Sequence, residues 1–282
     1  MILISILLFS LNNILWKKNL AQYPMFFLMS SRAFFTSLIA LSGYFVFQAQ
    51  MPVTPEMIFR ISLGGSMGVI GLFCMLSIIQ VKSLQWVAIY NILGIFGTTV
   101  YLWFFEETKQ ESGWSGIALI ITGYLLFIYF NAENTHFRLS FKNHLFLLIM
   151  TICFSSMGIV QWKNVTNDTP SLIILATQEL MVFFAALFAF FFLNKERMPW
   201  GNVQLILPKA FIMSIMILLA LYFSLIGSKV TNPVICSLLF LANPITTILF
   251  SALYFKEKMN PRNIVALAIL CTGAFLLHLS QN

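Results

Sequence analysis

The chain has 282 residues, 60% of them hydrophobic and only 9% charged, with a formal net charge of +7 and a mean hydropathy of +0.90. A soluble domain carries roughly 25% charged residues, so this composition excludes a water-soluble globule and makes lipid the solvent for much of the surface. The positive charge is not a nucleic-acid footprint either, because the 16 basic residues are spread over short polar turns, where they serve topology and lipid headgroups.

A membrane helix needs roughly 17–25 mostly apolar residues, and ten segments meet or approach that length: 2–18, 25–48, 57–79, 83–105, 112–130, 143–163, 171–193, 207–227, 232–255 and 262–280. The first run starts at Met1 with no basic stretch before it and ends in Trp16-Lys17-Lys18 with no small-residue cleavage site. It therefore reads as a first span rather than a signal peptide, and its shortness leaves room for a start upstream. Arg32 lies about a third of the way into the second span. The third carries Gly64, Gly65, Gly68 and Gly71, and the Gly64-x-x-x-Gly68 spacing lets helix backbones approach closely, here for packing within the chain rather than for dimerisation. Only the turn Gln80–Lys82 separates the third span from the fourth, in which Tyr90, Asn91 and Leu93-Gly94 interrupt the apolar sequence. The sixth span contains Gln161 and ends in Trp162-Lys163, the seventh contains Gln178 and Glu179, and the eighth contains Tyr222. Asn243-Pro244 breaks the ninth, since proline removes a helical hydrogen bond and bends the helix.

Two stretches about half the chain apart repeat one another. Trp16-Lys17 with Pro24 recurs as Trp162-Lys163 with Pro170, a shift of 146, and Phe105, Glu107, Thr122 and Gly123 recur as Phe255, Glu257, Thr272 and Gly273, a shift of 150. The chain thus divides into a first repeat over 1–131, a connecting loop over 132–141 and a second repeat over 142–282. Five spans in each repeat is an odd number, so the second repeat enters the membrane from the opposite side. The expected fold is an all-α membrane protein of ten transmembrane helices in two five-helix inverted repeats, an arrangement in which binding sites lie near the midplane between the repeats.

Charge inside the apolar spans singles out candidate residues. Placing a charge at the bilayer centre costs at least about 2.5–3.5 kcal/mol, so such residues face a polar cavity or one another. Arg32 maps onto Gln178 by the 146 shift, next to Glu179. The two charges read either as a substrate- or proton-coupling pair or as a structural ion pair joining the repeats, and Glu179 is the stronger coupling candidate because a carboxylate removed from water takes up a proton more readily. Lys17 and Lys163 read as headgroup anchors beside interfacial tryptophans or as residues lining a pathway. The full candidate set for substrate contact or coupling is Trp16, Lys17, Arg32, Tyr90, Asn91, Trp162, Lys163, Gln178, Glu179 and Asn243, with Gly94 and Pro244 as points of flexure. Glu107 and Glu257 read as solvated helix ends. Cys74, Cys153, Cys236 and Cys271 form no C-x-x-C pair and read as small buried hydrophobes, so no metal and no cofactor are expected.

Trp16-Lys17 with Pro24 and Arg32 in the first half, and Asn243-Pro244, Phe255-Lys256-Glu257 and Gly273 in the second, resemble the drug/metabolite transporter superfamily, in its ten-helix EamA-type branch. The resemblance implies a polytopic exporter or exchanger of small polar or amphipathic metabolites, such as amino acids, with a central cavity between inverted repeats. The chain departs from the family pattern at Gly94, where a proline is expected, and at Gln178, where an arginine is expected. The resemblance also implies both termini on the cytoplasmic side. The turns on the face opposite the termini, however, carry ten Lys and Arg against four on the terminal face, which by the positive-inside rule puts the termini outside. The two criteria disagree and leave the orientation open.

A secondary transporter in the cell membrane, plasma or inner, is therefore the leading expectation, with a small-molecule substrate, a proton as candidate coupling ion, lipid as its other partner and no nucleic acid. No G-x-x-x-x-G-K-[ST] loop is present to hydrolyse ATP. A membrane-embedded enzyme would need a nucleophile–base or metal cluster within the spans, and His136, His144 and His278 fall in a loop or at helix ends. A binding or sensor protein without flux is the third alternative.

Overall fold

A computed structural model describes residues 1–82, 84–105, 114–131, 139–192, 203–230, 240, 242–256 and 261–279. Among them are ten α-helices and no strand: α1 Ile2–Leu20, α2 Met25–Phe47, α3 Pro55–Val81, α4 Leu84–Phe105, α5 Trp114–Asn131, α6 Phe141–Thr166, α7 Ser171–Phe192, α8 Val203–Val230, α9 Ala242–Phe255 and α10 Pro261–Leu279. Five of these (α2, α3, α6, α7 and α8) are individually long and apolar enough to cross a membrane, and shorter apolar helices lie within α5, α9 and α10. All backbone groups of a spanning segment must be satisfied within it, which is why helices are the form such apolar sequence takes in lipid.

Local sequence explains the ends of the helices. Thr54 caps α3, its hydroxyl accepting from the Met57 amide, with Pro55 at the first helical position. Ser140 caps α6 in the same way, accepting from Asn143 N–H. Asn243-Pro244, expected to break the ninth span, lies in the described part of α9. Most of 232–241, the first part of that expected span, lies outside the described residues, as do Glu107, Glu257, His136 and Cys236.

The helices pack as an exchange-symmetric set. On replacing each helix of the first five by its counterpart in the second, α3–α6 becomes α1–α8, α3–α7 becomes α2–α8 and α4–α6 becomes α1–α9, and all six pairs are in contact. Three pairs map onto themselves: α2–α7, α4–α9 and α5–α10. The fold is therefore two five-helix inverted repeats whose helices interlock, with a pseudo-two-fold axis passing between α2 and α7 and between α5 and α10. Small residues allow the tightest of these contacts. A Cβ on Gly123 would lie 2.8 Å from the Leu270 nitrogen, and one on Gly273 would lie 2.7 Å from the Ile120 nitrogen. The repeated Thr-Gly dipeptides are thus the two halves of one backbone-to-backbone crossing of α5 and α10. The α3 glycines serve packing within the chain, with Gly68 against Met157 and Gly71 against Phe154, both on α6.

Candidate functional site

Between the repeats lies a cavity of about 420 Å³, lined from α1, α2, α3, α4, α6, α7, α8 and the start of α9. The α5–α10 pair contributes nothing to its lining and acts as a buttress. Apolar sequence builds most of the wall, and the polar groups in it come from residues spaced along the inward faces of the helices: Asn12, Asn13, Asn91, Gln161, Gln178 and Asn243. This combination of apolar and aromatic walls with a few convergent polar groups is the usual make-up of a small-molecule site.

Among the described residues, the only ionisable side chains lining the cavity are Arg32 on α2 and Glu179 on α7, and they are bound to each other. Arg32 Nη1 donates to Glu179 Oε1 at 3.1 Å and Nη2 to Oε2 at 2.7 Å, with side-chain exposures of 2% and 7%. Such fork-to-fork pairing is the strong form of a charge-assisted hydrogen bond. The partners come from different repeats and sit on the self-symmetric α2–α7 pair. The indole ring of Trp16 covers the guanidinium at 5.7 Å from its centroid, a cation–π contact that helps shield it. Beside the pair, Gln161 Nε2 donates to Gln178 Oε1 at 2.7 Å.

Two matched hydrogen-bond clamps tie the cavity helices together. In one, Ser10 on α1 bonds Asn243 Oδ1 at 3.0 Å and the Thr246 hydroxyl at 2.6 Å on α9. In the other, Ser155 on α6 donates to the Gly94 carbonyl on α4 at 2.9 Å, and Thr151 donates to the Tyr90 carbonyl at 3.0 Å. These are the α1–α9 and α4–α6 pairs that exchange under the pseudo-symmetry, so the weak points Gly94 and Asn243-Pro244 are held by the same device in both halves.

The cavity is not symmetric along its length. Toward the face opposite the termini it ends at Trp16 and Met75, both buried. Toward the terminal face its lining reaches half-buried Trp162 near the end of α6 and Ser228 near the end of α8, past solvent-exposed Gly158. Among the described residues, then, the cavity is closed at one face and extends to the other.

Of the residues expected from sequence, Trp16, Arg32, Asn91, Trp162, Gln178, Glu179, Asn243, Gly94 and Pro244 line the cavity. Lys17, Lys163 and Tyr90 do not. Lys17 reaches along α1 to lie over the ring of Phe255, 4.8 Å from its centroid, and Lys163 is exposed. The Tyr90 hydroxyl bonds that of Tyr124 and His144 Nδ1, the latter at 2.8 Å, in a cluster behind α4. In each case the expected residue is the immediate helical neighbour of one that does face inward, and consecutive residues point about 100° apart. Asn12, Asn13, Gln161, Thr151, Ser155, Ser224 and Ser228, none of them in the candidate set drawn from the sequence, also line the cavity. Among the described residues no three His, Cys, Asp or Glu side chains come together as a metal site would require.

Outside the spans, Lys229 donates to Asp168 at 2.7 Å on the terminal face, and this contact holds the Asp168 carboxyl below the usual carboxylate range.

Residues 141–279, from the start of α6 almost to the end of the chain, match the EamA-like transporter family. The chain carries an EamA-like transporter domain. That match and the apolar helices together support an integral membrane protein whose matched region is similar to a family of small-molecule transporters. A crystal structure titled only "Crystal structure of protein" superposes on 97% of this EamA-like chain and 95% of its own, with a TM-score of 0.65 and 14% identity, a likeness that shows the fold alone. No curated protein matches the chain.

Proposed function

We propose that this protein is a secondary transporter that exports or exchanges small polar or amphipathic metabolites, such as amino acids, by alternating access across the plasma or inner membrane. Residues 1–131 and 142–282 form its two repeats. The observation that carries the proposal is the cavity between them, crossed by a buried ion pair with a partner from each repeat and, among the described residues, closed at one face and extending to the other. Because the repeats are inverted, exchanging their conformations turns a cavity closed at one face into a cavity closed at the other, at comparable energy. Trp16, Trp162, Asn91, Gln178 and Asn243 contact substrate in this reading, and Gly94 and Pro244 flex where the clamps hold them. Arg32 and Glu179 form the coupling element. Protonation of Glu179 neutralises the carboxylate and releases Arg32 to the cavity, so the proton decides whether Arg32 is held by Glu179 or is available to an anionic group of the substrate.

An untargeted metabolite comparison of cells with and without the protein supplies the test substrate. Flux of that substrate into vesicles is then measured against an imposed pH gradient, per amount of folded protein, for the native chain and for Glu179→Gln. The proposal expects pH-dependent flux that Glu179→Gln abolishes or renders independent of pH. An unchanged rate and pH profile removes the coupling role, and binding without flux in the native chain favours the sensor alternative.

A further inference from the structure

A glycine inside a helix weakens it relative to alanine, and the usual compensation is close approach of another element or a backbone conformation that other residues avoid. The α3 glycines, Gly123 and Gly273 have the first: a Cβ on any of them would meet an atom of another helix within 2.9 Å. Gly158 on α6 has neither. A Cβ there would meet nothing within 4 Å among the described residues, and none of the described glycines has a positive φ. Gly158 is itself exposed, so the space in front of it is open.

That space is the cavity. α6 lines it with Thr151, Phe154, Ser155, Gln161 and Trp162 as well as Gly158, and at about 100° per residue Gly158 falls in the middle of the arc that the other five span. The exposed Leu145, Leu148 and Ile152 lie about 80–140° away around the helix, so the exposure of Gly158 is not that of the outer side. Phe154 stands one turn before it and Trp162 one turn after. The centre of the cavity face of α6 is therefore bare backbone between two aromatic side chains.

The shift of 146 that relates Trp16 to Trp162 relates Asn12 to Gly158. Asn12 also lines the cavity, but it is 2% exposed, and its side-chain oxygen has no hydrogen-bond partner among the described residues. A buried acceptor left unmet costs free energy that an incoming donor recovers. At one register, then, α1 supplies an acceptor without a donor and α6 supplies a space without a side chain.

We propose that Gly158 determines the substrate specificity of the cavity: the place of its missing side chain seats an apolar group of the substrate, and Asn12 Oδ1 accepts an N–H or O–H from the substrate's polar head. The solute class so selected is amphipathic, with a hydrogen-bond donor in the head and a body broad enough to use the space at Gly158. The inference rests on the reading of this cavity as the substrate site.

Binding of phenylacetamide and 2-naphthylacetamide to the full-length protein in detergent is measured by isothermal titration calorimetry. The two probes share one neutral head with N–H donors and differ only in the breadth of the body. The native chain is expected to bind the naphthyl probe more tightly. Gly158→Leu is expected to weaken the naphthyl probe by at least about tenfold more than the phenyl probe, without lowering the thermal unfolding temperature, because its side chain enters open space. Gly68→Leu, at a packed glycine, is expected to lower that temperature. Asn12→Leu, of similar size, is expected to weaken both probes by about the same factor. A native chain that binds neither probe, or does not prefer the larger, overturns the inference without any variant having to fold. Equal weakening of both probes by Gly158→Leu, or weakening of neither, overturns the seat, and unchanged affinities in Asn12→Leu overturn the role of Asn12. Flux is scored separately: a native chain that obeys the size rule and moves no metabolite refutes the transporter reading, whereas flux without the size rule refutes the seat alone.

Discussion

Trp16 and Trp162 occupy the same place in the two repeats, each followed by a lysine and, eight residues on, by a proline, yet they live in different surroundings. Trp16 is 1% exposed, packed with Ile14, Leu20, Leu28, Met29 and Met75 in the larger apolar core and stacked on Arg32. Trp162 is half-buried, lines the cavity and joins none of the buried clusters. The smaller core at the terminal face gathers Tyr44, Ile61, Val165 and Leu225. The same residue in the two repeats thus meets unequal packing. Among the described residues, one end of the molecule is packed shut and the other is not.

The largest expected effect follows directly. Removing a fully packed tryptophan costs about 3–5 kcal/mol, so Trp16→Ala should lower the thermal unfolding temperature of the detergent-purified protein sharply. Trp162→Ala should cost about 1 kcal/mol and show itself in substrate binding instead. Equal losses of stability would mean that the two faces are equally packed, and the comparison would collapse.

A second experiment asks where the repeats remain equivalent. At the α5–α10 crossing a Cβ on Gly123 would meet the Leu270 nitrogen at 2.8 Å and the Ala266 oxygen at 2.9 Å, and one on Gly273 would meet Ile120 and Gly116 backbone atoms at 2.7 and 2.8 Å. Backbone cannot rotate away as a side chain can. Gly123→Ala and Gly273→Ala should therefore each destabilise by about 1–3 kcal/mol, and by similar amounts, as measured by unfolding in detergent. A harmless substitution at one site beside a severe one at the other would show that the buttress is not symmetric, and would confine the pseudo-symmetry to the cavity helices.

Much of this was legible before any coordinates, because lipid imposes long apolar helices and duplication leaves a fixed shift. The 146 shift set Arg32 opposite Gln178 and so beside Glu179, but whether those charges met each other or a substrate depended on α2 packing on α7, which no periodicity encodes. The Thr-Gly echo marked a repeat without revealing that its two copies touch. Tyr90, Lys17 and Lys163 were chosen along with their neighbours Asn91, Trp16 and Trp162 because a one-residue choice of helix face needs the neighbouring helices. The hydroxyls at Ser155 and Thr151 carried almost no signal, since serine and threonine within helices commonly bond their own preceding carbonyls. Here Ser155 bonds Gly94 on another helix, while Thr151 bonds both Leu147 and Tyr90.

The smallest expected effect lies in the turns that follow the two tryptophans. Gln22 and Asp168 are related by the same shift of 146, and each meets a lysine of α8: Gln22 accepts from Lys209 at 3.4 Å and Asp168 from Lys229 at 2.7 Å. Only the terminal-face contact is an ion pair, and only it can respond to acid. Lys229 holds the folded Asp168 carboxyl below the usual carboxylate range, whereas the unfolded chain titrates near about 3.9. The stabilisation is therefore fully present above that pH and disappears as the pH falls through the lower folded value. Asp168 has φ of 55°, a left-handed conformation that asparagine also tolerates, so Asp168→Asn removes the charge without straining the turn. The gap in unfolding temperature between the native chain and Asp168→Asn should be small, since exposed pairs contribute little, constant from pH 5 to pH 8 and diminishing below about pH 4. Gln22→Ala should give a gap that does not vary with pH. A gap for Asp168→Asn that instead grew on acidification would place a repulsive rather than an attractive charge beside Asp168, and the contrast between the two turns would be lost.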